Sequence, residues 1–314
     1  MKIAIYAPKS EFKLAQQRAI GKLGQVTYTQ NRQSLPISQL LSMAKGADII
    51  APDPDPFGGF EKAEPQLTKV MDSLPNLKGV CLSTTSFGWI DLKYCKNRHL
   101  PVSNIPGYSR ESVAEHTLAL LLCLAKRILI TDRQTQKGKY QLGMGFEFKG
   151  KTLGIIGLGN IGSRVAELAQ GIGMKVIAFN RSPKKPSGIR MVSLLSLLRQ
   201  SDAISLHTTH EPDNVNLIGS PQLKMMKLGV IIVNTVDREL VNEKAMANAL
   251  KSGKVYGYAY EGEDLVNTPL ANIENAIGLK GFGWFTQEAL DNLYDIWVAN
   301  IQALTYGRPR HRVA

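Results

Sequence analysis

The chain has 314 residues, beyond the size at which a single core stops growing, so two lobes of roughly 100 to 200 residues each are expected. Lys and Arg outnumber Asp and Glu by 38 to 26, a net charge of +12, but the cations are scattered and not interleaved with aromatics. That pattern favours attraction of anionic small molecules over nucleic-acid binding. The 3 cysteines, two of them in apolar stretches, predict reduced thiols and a cytoplasmic setting, and the longest apolar run, 118–125, is far short of the ~20 residues of a membrane span.

Met1-Lys2-Ile3-Ala4-Ile5-Tyr6 predicts a strand and carries no signal-peptide pattern. Strands are expected at 2–6, 25–28, 47–51 and 77–82, with helices at 11–22, 37–45 and 65–74 between them. This alternation belongs to a parallel sheet with helices on both faces. The stretch 52–59 is too rich in Pro and Gly to be regular, which predicts a loop after a strand's C-terminal end, where open α/β sheets bind ligands. Ser112-x-x-Glu115 then predicts a capping box opening a long apolar helix from 113 to about 130. A helix apolar on most of its circumference must be covered all round, by both lobes or by a second subunit. His116 inside it reads as a core histidine satisfied by neighbours.

Gly154-Ile155-Ile156-Gly157-Leu158-Gly159-Asn160-Ile161-Gly162 follows, with a short buried strand expected at 151–156, a helix at 161–170 and a second apolar strand at 175–180. G-x-G-x-x-G in such a β-α-β unit holds a dinucleotide: Gly157 for the tight turn, Gly159 for approach to the pyrophosphate, Gly162 for close helix packing, with the helix N-terminus facing the anion. Enzymes that take NAD place an acid at the end of the second strand. Here that position reads Asn180-Arg181-Ser182-Pro183-Lys184-Lys185, a neutral residue and three cations, which favours NADP(H) over NAD(H) through charge-assisted contacts to a 2′-phosphate. The alternative is a solvated basic turn. Farther on, Tyr256, Tyr258 and Tyr260 fall at period two in a strand at 255–261 and are expected on one face.

Three stretches together carry a family resemblance: Ile105-Pro106-Gly107-Tyr108-Ser109-Arg110-Glu111-Ser112-Val113-Ala114-Glu115, the glycine loop, and Asp202-Ala203-Ile204-Ser205-Leu206-His207 with Asn234-Thr235. The chain resembles the D-isomer-specific 2-hydroxyacid dehydrogenases, strongly from about residue 77 to 250. The resemblance implies an α/β fold of two Rossmann-like lobes with parallel sheets. A dinucleotide-binding domain, 104–285, is inserted into a flavodoxin-like substrate domain, 1–103 and 286–314. It implies a homodimer built on the 112–130 helix region; no metal, nucleic-acid or membrane partner is expected. It also implies cofactor contacts at Gly157, Gly159, Asn160, Ile161 and Gly162, at Asn180, Arg181 and Ser182, at His207, Thr208 and Thr209, at Thr235 and Val236, and at Glu261, which takes the place of an Asp that contacts the nicotinamide amide.

The catalytic positions depart from the family. Its members reduce a 2-keto acid with an Arg that clamps the substrate carboxylate, a His that donates the proton and a Glu that holds the His. Here Asp237 stands at the Arg position and Gly281 at the His position, while the loop that brings the Glu is shortened to Glu263 and Asp264. Arg238 lies one residue from the clamp position, where strand alternation turns it to the other face unless a bulge intervenes. Lys280, Tyr258, Tyr260, His207 and His210 are the candidate replacement acids. Ketone reduction builds charge on oxygen and needs a donor to meet it, whereas an iminium is already cationic and is neutralised by hydride. A carboxylate at Asp237, with Glu263 or Asp264, favours such a cation; Asp237 is otherwise a loop carboxylate paired with Arg238 or Lys244. Two readings follow: an NAD(P)H-dependent reductase of an imine, or of a carbonyl other than a simple 2-keto acid, and a non-catalytic NADP(H)-binding protein acting as a sensor or partner-binding dimer.

Overall fold

The computed structural model describes residues 1–182, 184, 188–209, 213–262 and 265–314. The chain forms two compact units, Met1–Tyr108 with Gln287–Ala314, and Ser109–Thr286. The first break falls at 108/109 and not at 103/104, because Ile105 is buried in the first unit's core with Tyr108 packed against the same cluster.

The first unit alternates β1 (Lys2–Pro8), α1 (Leu14–Gly21), β2 (Gln25–Thr29), α2 (Ile37–Ala44), β3 (Ile49–Ala51), α3 (Phe60–Asp72), β4 (Gly79–Cys81), α4 (Leu92–Asn97) and β5 (Val102–Ser103). Its five strands pair in parallel in the order β2-β1-β3-β4-β5. Ile3, Ala4, Ile5 and Tyr6 are all fully buried, as a central strand covered on both faces requires. α3 begins at Phe60, five residues before the expected start; Gly59 (φ 86°) turns the chain into it, and Pro65 is carried inside the helix. The Pro- and Gly-rich loop after β3 holds one 3-10 turn, Asp55–Phe57, and buries Asp53, which accepts from Arg32 Nη1 and Ser83 Oγ, each at 2.7 Å.

The second unit opens with α5 (Arg110–Ala125) and α6 (Ile128–Thr135). Arg127, in the left-handed region at φ 57°, breaks what the sequence suggested was one helix to about residue 130. No capping box forms at Ser112 either, because the helix starts earlier and the Ser112 hydroxyl is taken by Gly283 O. There follow β6 (Thr152–Ile156), α7 (Asn160–Gly171), β7 (Lys175–Phe179), β8 (Arg190–Met191), α8 (Leu194–Gln200), β9 (Ala203–Leu206), α9 (Ser220–Met225), β10 (Val230–Asn234), α10 (Glu243–Lys251), β11 (Val255–Glu261) and β12 (Ala276–Leu279). The seven parallel strands run β12-β11-β10-β9-β6-β7-β8, so the winding reverses between β6 and β9, the place where doubly wound sheets open a crevice. Their pairing skips a residue where Val230 faces Val255 but Ile231 faces Gly257, and the bulge sends Tyr256 away from its two neighbours. Tyr258 and Tyr260 stack at 5.1 Å on one side while Tyr256 packs on Phe146, which corrects the expectation of three tyrosines on one face. The chain returns to the first unit as α11 (Gln287–Thr305), burying Trp297 and Ile301 against Ile3 and Ile5. Among the described residues, no helix is long and apolar enough to cross a membrane.

Candidate cofactor and active site

The three glycines of the loop after β6 meet three different surroundings. Gly157 has φ +97°, and a Cβ there would lie 2.6 Å from the backbone of His207, so a side chain is barred by both conformation and space. At Gly162 a Cβ would lie 2.2 Å from Gly157 O, which lets the first turn of α7 sit directly on the loop. Gly159, the residue before α7, faces open space: a Cβ would have nothing within 4 Å. A helix start with free N–H groups and an unfilled volume before it is the arrangement that receives a pyrophosphate.

Beside this loop lies a cavity of about 340 Å³, lined by Gly157, Asn180, Arg181, Ser182, Thr208, Thr209 and Asp213 among others. Asn180 stands where an acid would end β7; its Oδ1 accepts from Leu158 N at 2.8 Å, tying the strand end to the glycine loop. Arg181 Nη1 lies 3.3 Å from Asp213 Oδ2, with both side chains more than 60% exposed at 64% and 69%, so the pair contributes little in water. Lys184 Nζ donates to Leu158 O at 2.6 Å. Lys185, His210, Glu263 and Asp264 lie outside the described residues. His207 donates its backbone N–H to Ile156 O, and its Nε2 is buried without a hydrogen bond among the described residues; burial lowers its pKa to about 4, so the ring is neutral near pH 7.

At the end of β10, Asn234 is fully buried and closes the following turn: its Nδ2 donates to Asp237 O at 3.0 Å and its Oδ1 accepts from Val236 N at 3.1 Å. Thr235 Oγ1 lies 3.4 Å from Thr117 Oγ1 on α5. Asp237 is exposed and makes no side-chain hydrogen bond or ion pair among the described residues, which leaves neither Arg238 nor Lys244 as its partner. Arg238 instead pairs with Glu243, Nη2 to Oε1 at 2.6 Å, and lies across Gly262, where a Cβ would meet its Cδ at 2.2 Å. Lys280 and Gly281 are exposed, and a Cβ at Gly281 would find nothing within 4 Å.

Glu261, at the end of β11, is buried at 8% exposure, and its Oε1 accepts from the amides of Phe282 at 3.1 Å and Gly283 at 2.8 Å. His116 Nε2 lies 3.2 Å from the same oxygen, yet not in line for a hydrogen bond. The expectation of a satisfied core histidine is thereby corrected. Its pairing with Glu261 was out of reach of sequence reasoning, because the two residues are far apart in the chain and only the β11 register brings them together. Gly283 was the available signal: two glycines flanking Phe282 mark a backbone that something approaches closely.

A parallel doubly wound sheet with a glycine loop, an open helix start and an adjoining nucleotide-sized cavity defines an NAD(P)-binding oxidoreductase unit. Residues 118–279 match the model of the D-isomer specific 2-hydroxyacid dehydrogenase NAD-binding domain. The chain is 32% identical to a glycerate dehydrogenase of Methylorubrum extorquens over 79% of this chain and 82% of that protein. It is 31% identical to a hydroxypyruvate reductase of Blautia hydrogenotrophica over 87% of both. Among solved structures it superposes on an acyclic imino acid reductase in complex with NADPH and D-Arg at a TM-score of 0.87, with 26% identity and all of both chains covered. The chain belongs to the D-isomer-specific 2-hydroxyacid dehydrogenase family and is a reductase of that type.

Proposed function

We propose that this protein is an NADPH-dependent reductase of an imine or iminium, or of a carbonyl other than a simple 2-keto acid, with Asp237 supplying the charge that the site needs. The observation that carries the reading is the exposed Asp237 carboxylate, unpaired among the described residues, at the position where family members carry the substrate-clamping Arg. Gly281, with open space around it, stands in the place of the proton-donating His, and Arg238 is engaged with Glu243. These three facts remove help from an oxyanion and offer it to a cation. Likeness over its whole length to a protein solved as an imino acid reductase with NADPH supports the same direction.

A bound reduced nicotinamide supplies the hydride. The chain's part is to hold the cofactor with the N-terminus of α7, to seat a 2′-phosphate on Arg181 and Ser182 in place of Asp213, and to keep His207, Thr208, Thr235 and Glu261 along its length. Lys280 and Arg238 are secondary candidates for a proton or an anion contact. The half-exposed Leu118 and Leu122 of α5, with Tyr140, Leu142 and Met144 at 88%, 84% and 89% exposure, support a homodimer through this region.

The test is a comparison of NADPH oxidation with a cyclic imine that is protonated at the assay pH and with the matching ketone. The imine is expected to be preferred, with glyoxylate, pyruvate and hydroxypyruvate near background, since loss of acid-base help costs ~10²- to 10⁴-fold. Asp237→Asn is expected to lower kcat/KM for the imine by roughly tenfold, about 1.4 kcal/mol, a size suited to a charge contact at a partly wet site. The rate falls as pH rises above the imine's pKa, because the neutral imine gains nothing from a carboxylate. An Asn variant with unchanged imine turnover refutes the role of Asp237. Tight NADPH binding with no turnover of any of these compounds transfers the weight to a non-catalytic sensor or partner-binding dimer.

A further inference from the structure

The turn at 281–284, which leaves β12 beside the open Gly281, is gripped from two elements. α5 presents Ser112 and His116 four residues apart on one face. Ser112 Oγ donates to Gly283 O at 2.5 Å, and His116 approaches the same residue so closely that a Cβ on Gly283 would lie 2.6 Å from His116 Cδ2. From β11, Glu261 Oε1 takes the amide N–H groups of Phe282 and Gly283. The Phe282 ring stands edge-on to the imidazole at 5.0 Å. One carboxylate oxygen thus meets two amides and an imidazole, while Oε2 has no hydrogen-bond partner among the described residues.

A histidine kept for packing alone would bury a satisfied ring. His116 Nε2 is buried, lacks a hydrogen bond among the described residues, and lies 3.2 Å from the Glu261 carboxylate. An imidazole so placed restricts the rotation of a carboxylate that would otherwise turn either oxygen toward the turn. We propose that His116 is a positioning residue: it orients Glu261 so that Oε1 pins the 281–284 turn and Oε2 is left for the carboxamide of a nicotinamide. This rests on the reading of Glu261 as a nicotinamide contact.

Trp284 gives a readout independent of turnover. Its Nε1 donates to Gly281 O at 3.0 Å and it is half-buried, whereas Trp89 and Trp297 are 1% and 0% exposed, so acrylamide quenching of the cofactor-free protein reads the turn. His116→Leu is expected to roughly double the quenching constant by loosening the turn and to weaken NADPH binding by about tenfold. His116→Gln, which fills much of the same space and keeps a polar end beside Glu261 Oε1, is expected to restore both in large part. Glu261→Ala, which also removes the two amide contacts and the nicotinamide contact, should lower both at least as far, and the double variant should be no worse than Glu261→Ala alone, since His116 acts only through Glu261. Unchanged quenching and affinity in His116→Leu, or additive effects in the double variant, overturn the proposal. Altered quenching with unaltered NADPH affinity refutes Glu261 as the nicotinamide contact and with it this proposal. Failure of imine turnover leaves both measurements intact.

Discussion

Gly159 and Gly162 are three residues apart in one motif, yet the geometry separates their roles so sharply that the same substitution should produce opposite phenotypes. At Gly162 an alanine Cβ would lie 2.2 Å from Gly157 O, a backbone atom that cannot retreat without opening the loop. Overpacking of that kind costs about 1–3 kcal/mol, which at roughly 2–4 °C per kcal/mol lowers Tm by several degrees. At Gly159 the same methyl meets nothing within 4 Å, and the backbone at φ −85° suits alanine. Only the capping preference is sacrificed, at most ~1 kcal/mol, so Tm should fall by no more than a few degrees. The methyl then occupies the proposed pyrophosphate seat. Each charge-assisted hydrogen bond to the pyrophosphate is worth ~1.5–3 kcal/mol, so displacing the anion by the methyl should lower NADPH affinity by about tenfold to a hundredfold. Thermal unfolding of the cofactor-free variants by circular dichroism and NADPH titration by fluorescence separate the two effects. A Gly159→Ala protein that binds NADPH normally, or that is less stable than Gly162→Ala, refutes the placement of the dinucleotide on this loop.

Arg181→Ala is expected to weaken NADPH but not NADH by roughly tenfold or more, as removal of a charge-assisted phosphate partner requires, and equal affinity of the unmodified protein for both cofactors in a titration contradicts the NADP assignment. Burial holds the folded-state pKa of His207 at about 4, so between its ordinary value and that point the unfolded chain binds the extra proton. Stability of the cofactor-free protein should therefore fall as pH drops through this window, by on the order of 3 kcal/mol; urea midpoints at neutral and acidic pH that shift equally in His207→Gln would dismiss the cause. Replacing Tyr140, Leu142 and Met144 together by Ser is expected to turn a dimer into a monomer in sedimentation velocity, and a sedimentation coefficient identical to that of the parent rules out this surface.

The alternation of strands and helices and the glycine loop were legible because their causes are local. Buried parallel strands announce themselves as apolar runs, and Gly157 and Gly162 are glycines for reasons that lie within a few residues or one strand away. Where the sequence misled, a distant partner had intervened. Ser112 looks like a cap but spends its hydroxyl on Gly283, and the apolar run at 113–130 conceals a break at Arg127, an arginine in a conformation more typical of Gly or Asn. The bulge that turns Tyr256 away from Tyr258 depends on how β11 pairs with β10, and alternation alone carries no such information.

The contrast between the two halves of the site follows from what each asks of its residues. Holding a dinucleotide depends on backbone N–H groups, a positive φ and empty volume, properties that belong to glycine and to a helix start. Choosing a substrate depends on the sign of a side chain at a few loop positions, where a single replacement inverts the local field without disturbing the frame. Asn234 closes its turn through the main chain of residues 236 and 237, so the turn is indifferent to whether position 237 carries an Arg or an Asp. Gly281 likewise has open space around it, while Gly283 close by is held by Glu261 and Ser112. On the proposed alignment, a frame indifferent to the sign at 237 and open at 281 would let substrate charge change while cofactor binding stayed as it was. The exposed carboxylate of Asp237 is therefore the group whose neutralisation should change substrate choice most and stability least.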